Sequence, residues 1–178
     1  MKKFWITLSM ITVITCQLSI AQKSVEVYGF AGYSFVDEEQ WAGTGFDIRE
    51  FDKFSSGYYL QVFPYANEVV SLGLEYGYAY LFYYTFFNEF TTVERNVDAT
   101  RLLAVARLFP ERPFIIEGGL GYYFFDGFSD FTIAVAAGYR FQVSDRFSIP
   151  VKFRNDLIFD SSANIFQSGI DVGVSYGF

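Results

Sequence analysis

Histidine is absent from the 178 residues, and the chain holds only 1 Cys, 2 Met, 2 Trp and 4 Pro. Each shortage closes off a chemistry. Without His there is no Ser-His-Asp triad, no His-activated thiol and no imidazole ligand for zinc or iron. A lone Cys16 cannot close an intramolecular disulfide, the usual staple of small exported domains. No window of 18 consecutive apolar residues occurs after Ala21, so no transmembrane helix is predicted. A net charge of −7 has the wrong sign for a phosphate backbone, and no nucleic-acid partner is expected. The glycine-rich stretch Gly118-Gly119-Leu120-Gly121 is no phosphate cradle, because it lies in an alternating segment with no helix after it. No cofactor is expected.

What the chain has in excess is apolar and aromatic side chains: 52% hydrophobic residues, with 23 Phe and 14 Tyr. The N-terminus accounts for some of them. Met1-Lys2-Lys3 is a short basic start, Phe4 to Thr15 is an apolar stretch, and Ser19-Ile20-Ala21 offers small residues at positions −3 and −1 of a cut. This is the layout of a secretory signal peptide over residues 1–21, too short for a spanning helix. Removal leaves 157 residues without Cys or Met; with Lys2 and Lys3 gone, 11 basic residues face 20 acidic ones, a net of −9.

From Gln22 onward the period is two. Val70, Leu72, Leu74, Tyr76, Tyr78, Tyr80 and Phe82 share one face, against Ser71, Gly73, Glu75, Gly77 and Ala79 on the other. The same split recurs over Phe131–Val143 and over Ile170–Phe178. Strict alternation places successive side chains on opposite faces of a strand. Eight such segments are predicted: 24–36, 56–64, 69–83, 97–109, 114–125, 130–143, 148–159 and 165–178. Long loops are expected at about Asp37–Ser55 and Tyr84–Asn96, and tight links at Pro64–Glu68, Pro110–Pro113 and Ser144–Phe147. The upper links near Asp126–Ser129 and Asp160–Asn164 are short, and Pro150 suggests a strand end or bulge.

A soluble sandwich also alternates, but its strands run about 5–6 residues and its outer face carries many charges. Here the segments run to 12 or more, and the non-aromatic face is rich in Gly, Ala and Ser with isolated charges. That suits the narrow inside of an eight-stranded barrel with an apolar exterior and aromatic girdles. The predicted fold class is therefore all-β, an eight-stranded antiparallel up-and-down transmembrane β-barrel over residues 22–178. On this register the interior acids are Glu26, Glu75, Glu117, Asp156 and Asp171, and the interior bases Arg101, Arg107, Arg140, Lys152 and Arg154. Five oppose five, a neutral lumen read as a structural ion-pair network. The surplus acids gather at the long-loop end.

With these features the chain resembles the small outer-membrane β-barrel proteins of the OmpA/OmpX type over residues 22–178. The closing run Ile170-Asp-Val-Gly-Val-Ser-Tyr-Gly-Phe178 looks like the signal such barrels present to their assembly machinery, read at Val172, Val174, Tyr176 and Phe178. The resemblance implies a Gram-negative outer-membrane location after export, loops outward and termini in the periplasm, with outer-membrane lipid and the assembly machinery as partners. No peptidoglycan-binding domain is expected after Phe178. Lipid A acyltransferases and deacylases of similar size use a catalytic His, which this chain lacks.

No catalytic or metal residue is assigned. The acidic first loop, with Asp37-Glu38-Glu39 and Asp47, Glu50 and Asp52, is read as solvated charge, with Ca²⁺ or Mg²⁺ binding as the sharper alternative. Trp41, Phe46, Phe51 and Phe54 in that loop, and Phe86, Phe87 and Phe90 in the next, are candidate contact residues for a protein partner, which the barrel wall could also bind; packing in an upward extension of the barrel is the alternative. The expected function is a non-enzymatic barrel with a structural, adhesive or complex-forming role. A narrow pore is the alternative, and a His-free lipid-modifying enzyme the third reading.

Overall fold

The computed structural model describes residues 24–36, 47–88, 91–160 and 164–178. The expected leader (1–21) and the loop residues Trp41, Phe46 and Phe90 lie outside them. The strands are β1 (Ser24–Phe35), β2 (Asp47–Asp52), β3 (Phe54–Ala66), β4 (Val70–Asn88), β5 (Thr91–Leu108), β6 (Phe114–Phe124), β7 (Ser129–Gln142), β8 (Phe147–Phe159) and β9 (Ile165–Gly177). No described residue is helical.

All pairings are antiparallel. β2 and β3 bind successive stretches of β4, so they act as one strand interrupted at Lys53. The sheet then closes as β1-β3-β4-β5-β6-β7-β8-β9 and back to β1. The seam runs without a break from Ser24↔Gly177 to Phe35↔Phe166. This is a closed eight-stranded barrel with no open edge along its wall, the condition for placing strands in hydrocarbon.

Alternation sets the two surfaces. Outward residues such as Leu74, Leu120, Val135 and Val172 are exposed, while the opposite parity is buried. Rings cluster at both ends of the outer wall. Tyr33–Phe54, Phe35–Phe166 and Phe131–Phe159 lie toward the loop end, with centroids 6.0–6.3 Å apart. Phe147–Tyr176 and Tyr176–Phe178 lie at the turn end, at 4.8 and 4.9 Å. Phe178, Tyr176, Val174 and Val172 all sit on this outer face.

Inside, the wall is narrow. A Cβ on Gly138 would lie 2.6 Å from Lys152 Cβ, so only hydrogen fits there. The turns are tied by local bonds. Asn67 Oδ1 accepts from Val69 N and Val70 N at 2.8 Å each. Phe109 takes a positive φ of 50° while donating to Val69 O at 2.7 Å. At the other end Gly127 has φ 93°, which favours glycine, and the turn closes through Phe125 N to Phe128 O at 3.0 Å.

Four readings of the sequence change. The segment Tyr84–Asn96 is a strand pair: β4 and β5 stay paired from Phe82↔Val97 to Asn88↔Thr91. Asp47–Asp52 is likewise a strand, and β3 begins at Phe54. The first tight link is 67–69, and Pro64 sits in a register shift between Val62 and Tyr65, where its missing N–H leaves no ladder bond unmade. Pro150 makes neither a strand end nor a bulge. β8 runs through it in constant register, and only its pairing to β9 is missing at Ile149 and Pro150.

Candidate functional site

Two features stand apart from the lipid-facing wall: the filled lumen and the sheet above it.

The lumen network begins near the turns. Arg107 on β5 grips Glu26 on β1 with Nη1 at 2.7 Å and Nη2 at 2.5 Å, and its Nε donates to Glu117 Oε1 at 2.6 Å. Glu26 also accepts from Tyr28 Oη at 2.5 Å and from Ser175 Oγ at 3.0 Å. Arg140 lies 3.4 Å from the same carboxylate and donates to Pro110 O at 2.9 Å. Lys152 Nζ on β8 reaches Glu117 Oε2 at 2.5 Å and Gln61 Oε1 at 3.2 Å, and Gln61 donates to Glu75 Oε2 at 2.7 Å.

Above this tier Arg154 joins Glu75 and Asp156, each at 2.7 Å. Arg101 Nε lies 2.9 Å from Glu75 Oε1, a charge contact without an aligned hydrogen bond. Tyr123 Oη donates to Asp156 Oδ2 at 2.6 Å and accepts from Arg101 at 3.1 Å. Asp171 accepts from Tyr59 Oη and makes no ion pair among the described residues. All ten charged side chains face the lumen, and all except Arg140 are almost wholly buried.

Rings fill the space between the charges, a feature missed when the aromatic excess is assigned to the outer face and the loops. Tyr28 and Tyr59 stack at 4.8 Å, Lys152 sits 4.0 Å from the Tyr28 centroid, and Arg101 4.2 Å from that of Tyr59. Arg107 lies 4.2 Å over Phe63. The available signal was parity: Tyr28 shares a face with Glu26, and Tyr59 and Phe63 share one with Gln61.

Toward the loops the lumen turns apolar. Val36, Leu81, Phe82, Ala99, Ile158 and Ile165 form one buried cluster, with Phe51, Tyr84, Val97 and Phe125 packed on it. Phe82 is expected on the outer face by parity, yet it is 0% exposed. A bulge at Leu81 places Tyr80 opposite Asp98 and Phe82 opposite Val97, so both Leu81 and Phe82 turn inward.

Free space is small and divided. A vestibule of about 100 Å³ opens between the turns, lined by Arg107, Arg140, Ser148 and Ser175 among others. A second cavity of about 10 Å³ beside Glu75, Glu117 and Arg154 is at the size of one water. No group of three or more His, Cys, Asp or Glu among the described residues could hold a metal ion.

The sheet above the lumen is three-stranded. β4 from Phe82 to Asn88 carries β5 on one side and β2 on the other, a rise of about 20 Å at 3.3 Å per residue. β6 begins pairing with β5 only at Thr100↔Phe124, so Thr91–Ala99 presents an unpaired backbone edge among the described residues. Exposed Glu94, Arg95 and Asp98 line it. Phe51, Phe82, Tyr84 and Phe86 form a ladder of rings, with neighbouring centroids 5.1 to 6.4 Å apart.

The contact candidates therefore divide. Phe51 and Phe86 are strand residues packed in this ladder, Phe87 is exposed, and Phe54 is a girdle residue on the wall beside Tyr33. Just below the rim, Asp130 and Asp160 face each other across β7 and β8 above the Phe131–Phe159 girdle pair. Burial, and after it the Asp160 carboxylate, push Asp130 up to about 6.

No family model and no curated protein matches the chain. Solved structures do. Neisserial surface protein A superposes with a TM-score of 0.52 at 13% identity, covering 86% of this chain and 97% of that one. The outer membrane protein AlkL, determined in lipid bilayers, gives 0.51 at 13%, covering 90% and 93%. Ail, the attachment invasion locus protein of Yersinia pestis, solved with the heparin analogue sucrose octasulfate, gives 0.50 at 15%, covering 89% and 100%. At this identity the likeness is one of fold: the small eight-stranded transmembrane β-barrel.

Proposed function

We propose that this chain is a non-enzymatic integral outer-membrane barrel that acts through contacts made by its raised sheet, in an adhesive or complex-forming role. The observation that carries the reading is the projecting β2–β4–β5 sheet with its unpaired Thr91–Ala99 edge. A free edge is a template for another chain's extended segment, and side chains along it set the choice of partner. Glu94, Arg95 and Asp98 supply such discrimination while discouraging indiscriminate pairing. In this reading the loop end faces outward, the leader is cleaved on export, and the outer face of β9 serves the assembly machinery.

The lumen argues against the pore alternative. Ion pairs cross it from β1 to β5 and from β4 to β8, and an apolar cluster caps it. The test is a shortened hairpin in which residues 83–96 are replaced by a two-residue turn, expressed in whole cells. Proteins cross-linked to the wild-type barrel should be lost from the shortened one, while heat-dependent gel migration shows that it still folds. An unchanged cross-linking pattern contradicts the proposal. So does steady single-channel conductance of the wild-type barrel in planar bilayers.

A further inference from the structure

The apolar outer wall has a polar interruption. On β8 every outward residue is apolar except Asn155, and on β9 every one is apolar except Ser168. These two are direct cross-strand partners, so they form one half-buried patch. Asn155 lies four residues from Phe159 and eight from Phe147, the rings that end β8. With 3.3 Å per residue and the usual strand tilt, that is about 10 Å below the loop-end girdle and about 20 Å above the turn-end one. The patch is thus well inside the hydrocarbon. Neither side chain hydrogen-bonds another described residue. Lipid tails offer no partner, and the short Asn side chain cannot reach the interface as a Lys or Arg would.

We propose that Asn155 and Ser168 mark the contact between two copies of this chain lying side by side in the bilayer. The occupant follows from the chemistry of the group. A carboxamide carries both an acceptor oxygen and N–H donors, so two copies related by a two-fold axis along the membrane normal can satisfy each other. Each Asn155 donates to the Asn155 of the second copy, and the Ser168 hydroxyl adds a donor and acceptor one strand away. Val135, opposite Asn155 on β7, and Ile170, next to Ser168 on the outer face of β9, are 53% and 55% exposed and supply apolar surface around the patch. Polar contacts between apolar faces are a recurring basis of association within membranes. The proposal rests on the wall facing lipid, which the heat-dependent gel migration of the folded barrel tests separately.

The experiment uses the full chain in a Cys16→Ser background, so that an introduced thiol is the only one. Asn155→Cys and, on the far wall, Leu74→Cys are oxidised mildly in isolated membranes and run without reductant. Disulfide-linked dimer is expected at Asn155→Cys in at least about fivefold excess over Leu74→Cys, since side chains must approach closely to bridge. Equal yields, or a heavier adduct with a different protein, overturn the proposal. In lipid vesicles Asn155→Leu should weaken self-association about three- to tenfold, the scale of one polar contact in a bilayer. Asn155→Gln should restore it. Self-association of Asn155→Leu equal to wild type also overturns the proposal.

Discussion

Glu117→Gln tests whether the lumen charges hold the barrel together or merely occupy it. Glu117 takes Arg107 on one oxygen and Lys152 on the other, each at 2.5 Å. Arg107 keeps its two bonds to Glu26 when Glu117 is neutralised. Lys152 loses its one ion-pair partner among the described residues and retains Gln61 at 3.2 Å and the Tyr28 face at 4.0 Å. Breaking a buried pair by removing one partner costs about 3–5 kcal/mol, because the other charge stays behind. With about 2 kcal/mol per molar for a small protein, the urea midpoint of the barrel refolded in vesicles should fall by about 2 M. Lys152→Met should be comparably harmful, since it leaves an unbalanced acid. The double variant restores neutrality and should recover about 2 kcal/mol relative to the sum of the singles. Asp171→Asn is the internal control and should cost less, because Asp171 has a tyrosine donor and no ion pair among the described residues. A Glu117→Gln penalty below about 1 kcal/mol, or additive singles, would refute the reasoning.

Phe82→Ala should lower stability by about 3–5 kcal/mol in the same assay, since it empties the centre of the apolar cap; a surface-like cost would refute the inward packing of Phe82. Asp130 has a raised value of about 6 against 3.8 unfolded, so the folded state holds the extra proton between these values and loses stability as pH rises from about 4 to 6. Asp130→Asn should remove that slope and raise the urea midpoint above pH 6, and an unchanged pH profile would contradict it. Gly127→Ala should cost about 1 kcal/mol because of its φ of 93°, read as a fall in melting temperature, whereas Gly118→Ala on the open outer wall should cost less.

The barrel is legible in the sequence because each wall strand has two chemically different surfaces. Glu26, Glu75 and Arg101 fall on the buried parity without any tertiary information, and Leu74 and Val135 on the exposed one. Parity fails where a register shift inserts a residue, and Phe82 follows the bulge at Leu81 rather than the count from Val70. The raised sheet is hidden for another reason. Above the girdle neither face meets lipid, so Thr91–Asn96 has no amphipathic pattern and reads as loop. Tyr28, Tyr59 and Tyr123 are ambiguous in themselves, since a phenol suits both a girdle and a charged interior; the structure binds their hydroxyls to Glu26, Asp171 and Asp156.

The lumen contacts join strands that are far apart in the circular order. Glu26 on β1 meets Arg107 on β5, and Glu75 on β4 meets Arg154 on β8, 81 and 79 residues apart in sequence. A flat, unrolled sheet would keep Arg107 beside Glu117 on β6 and Arg154 beside Asp156 on its own strand, but would part Glu26 from Arg107 and Glu75 from Arg154. Those cross-lumen pairs form only when β1 and β9 zip from Ser24↔Gly177 to Phe35↔Phe166. A barrel with the wrong strand count or a slipped seam would part these cross-lumen charges and carry them unpaired into the membrane, so the network favours the correctly rolled form over its neighbours in strand number and register.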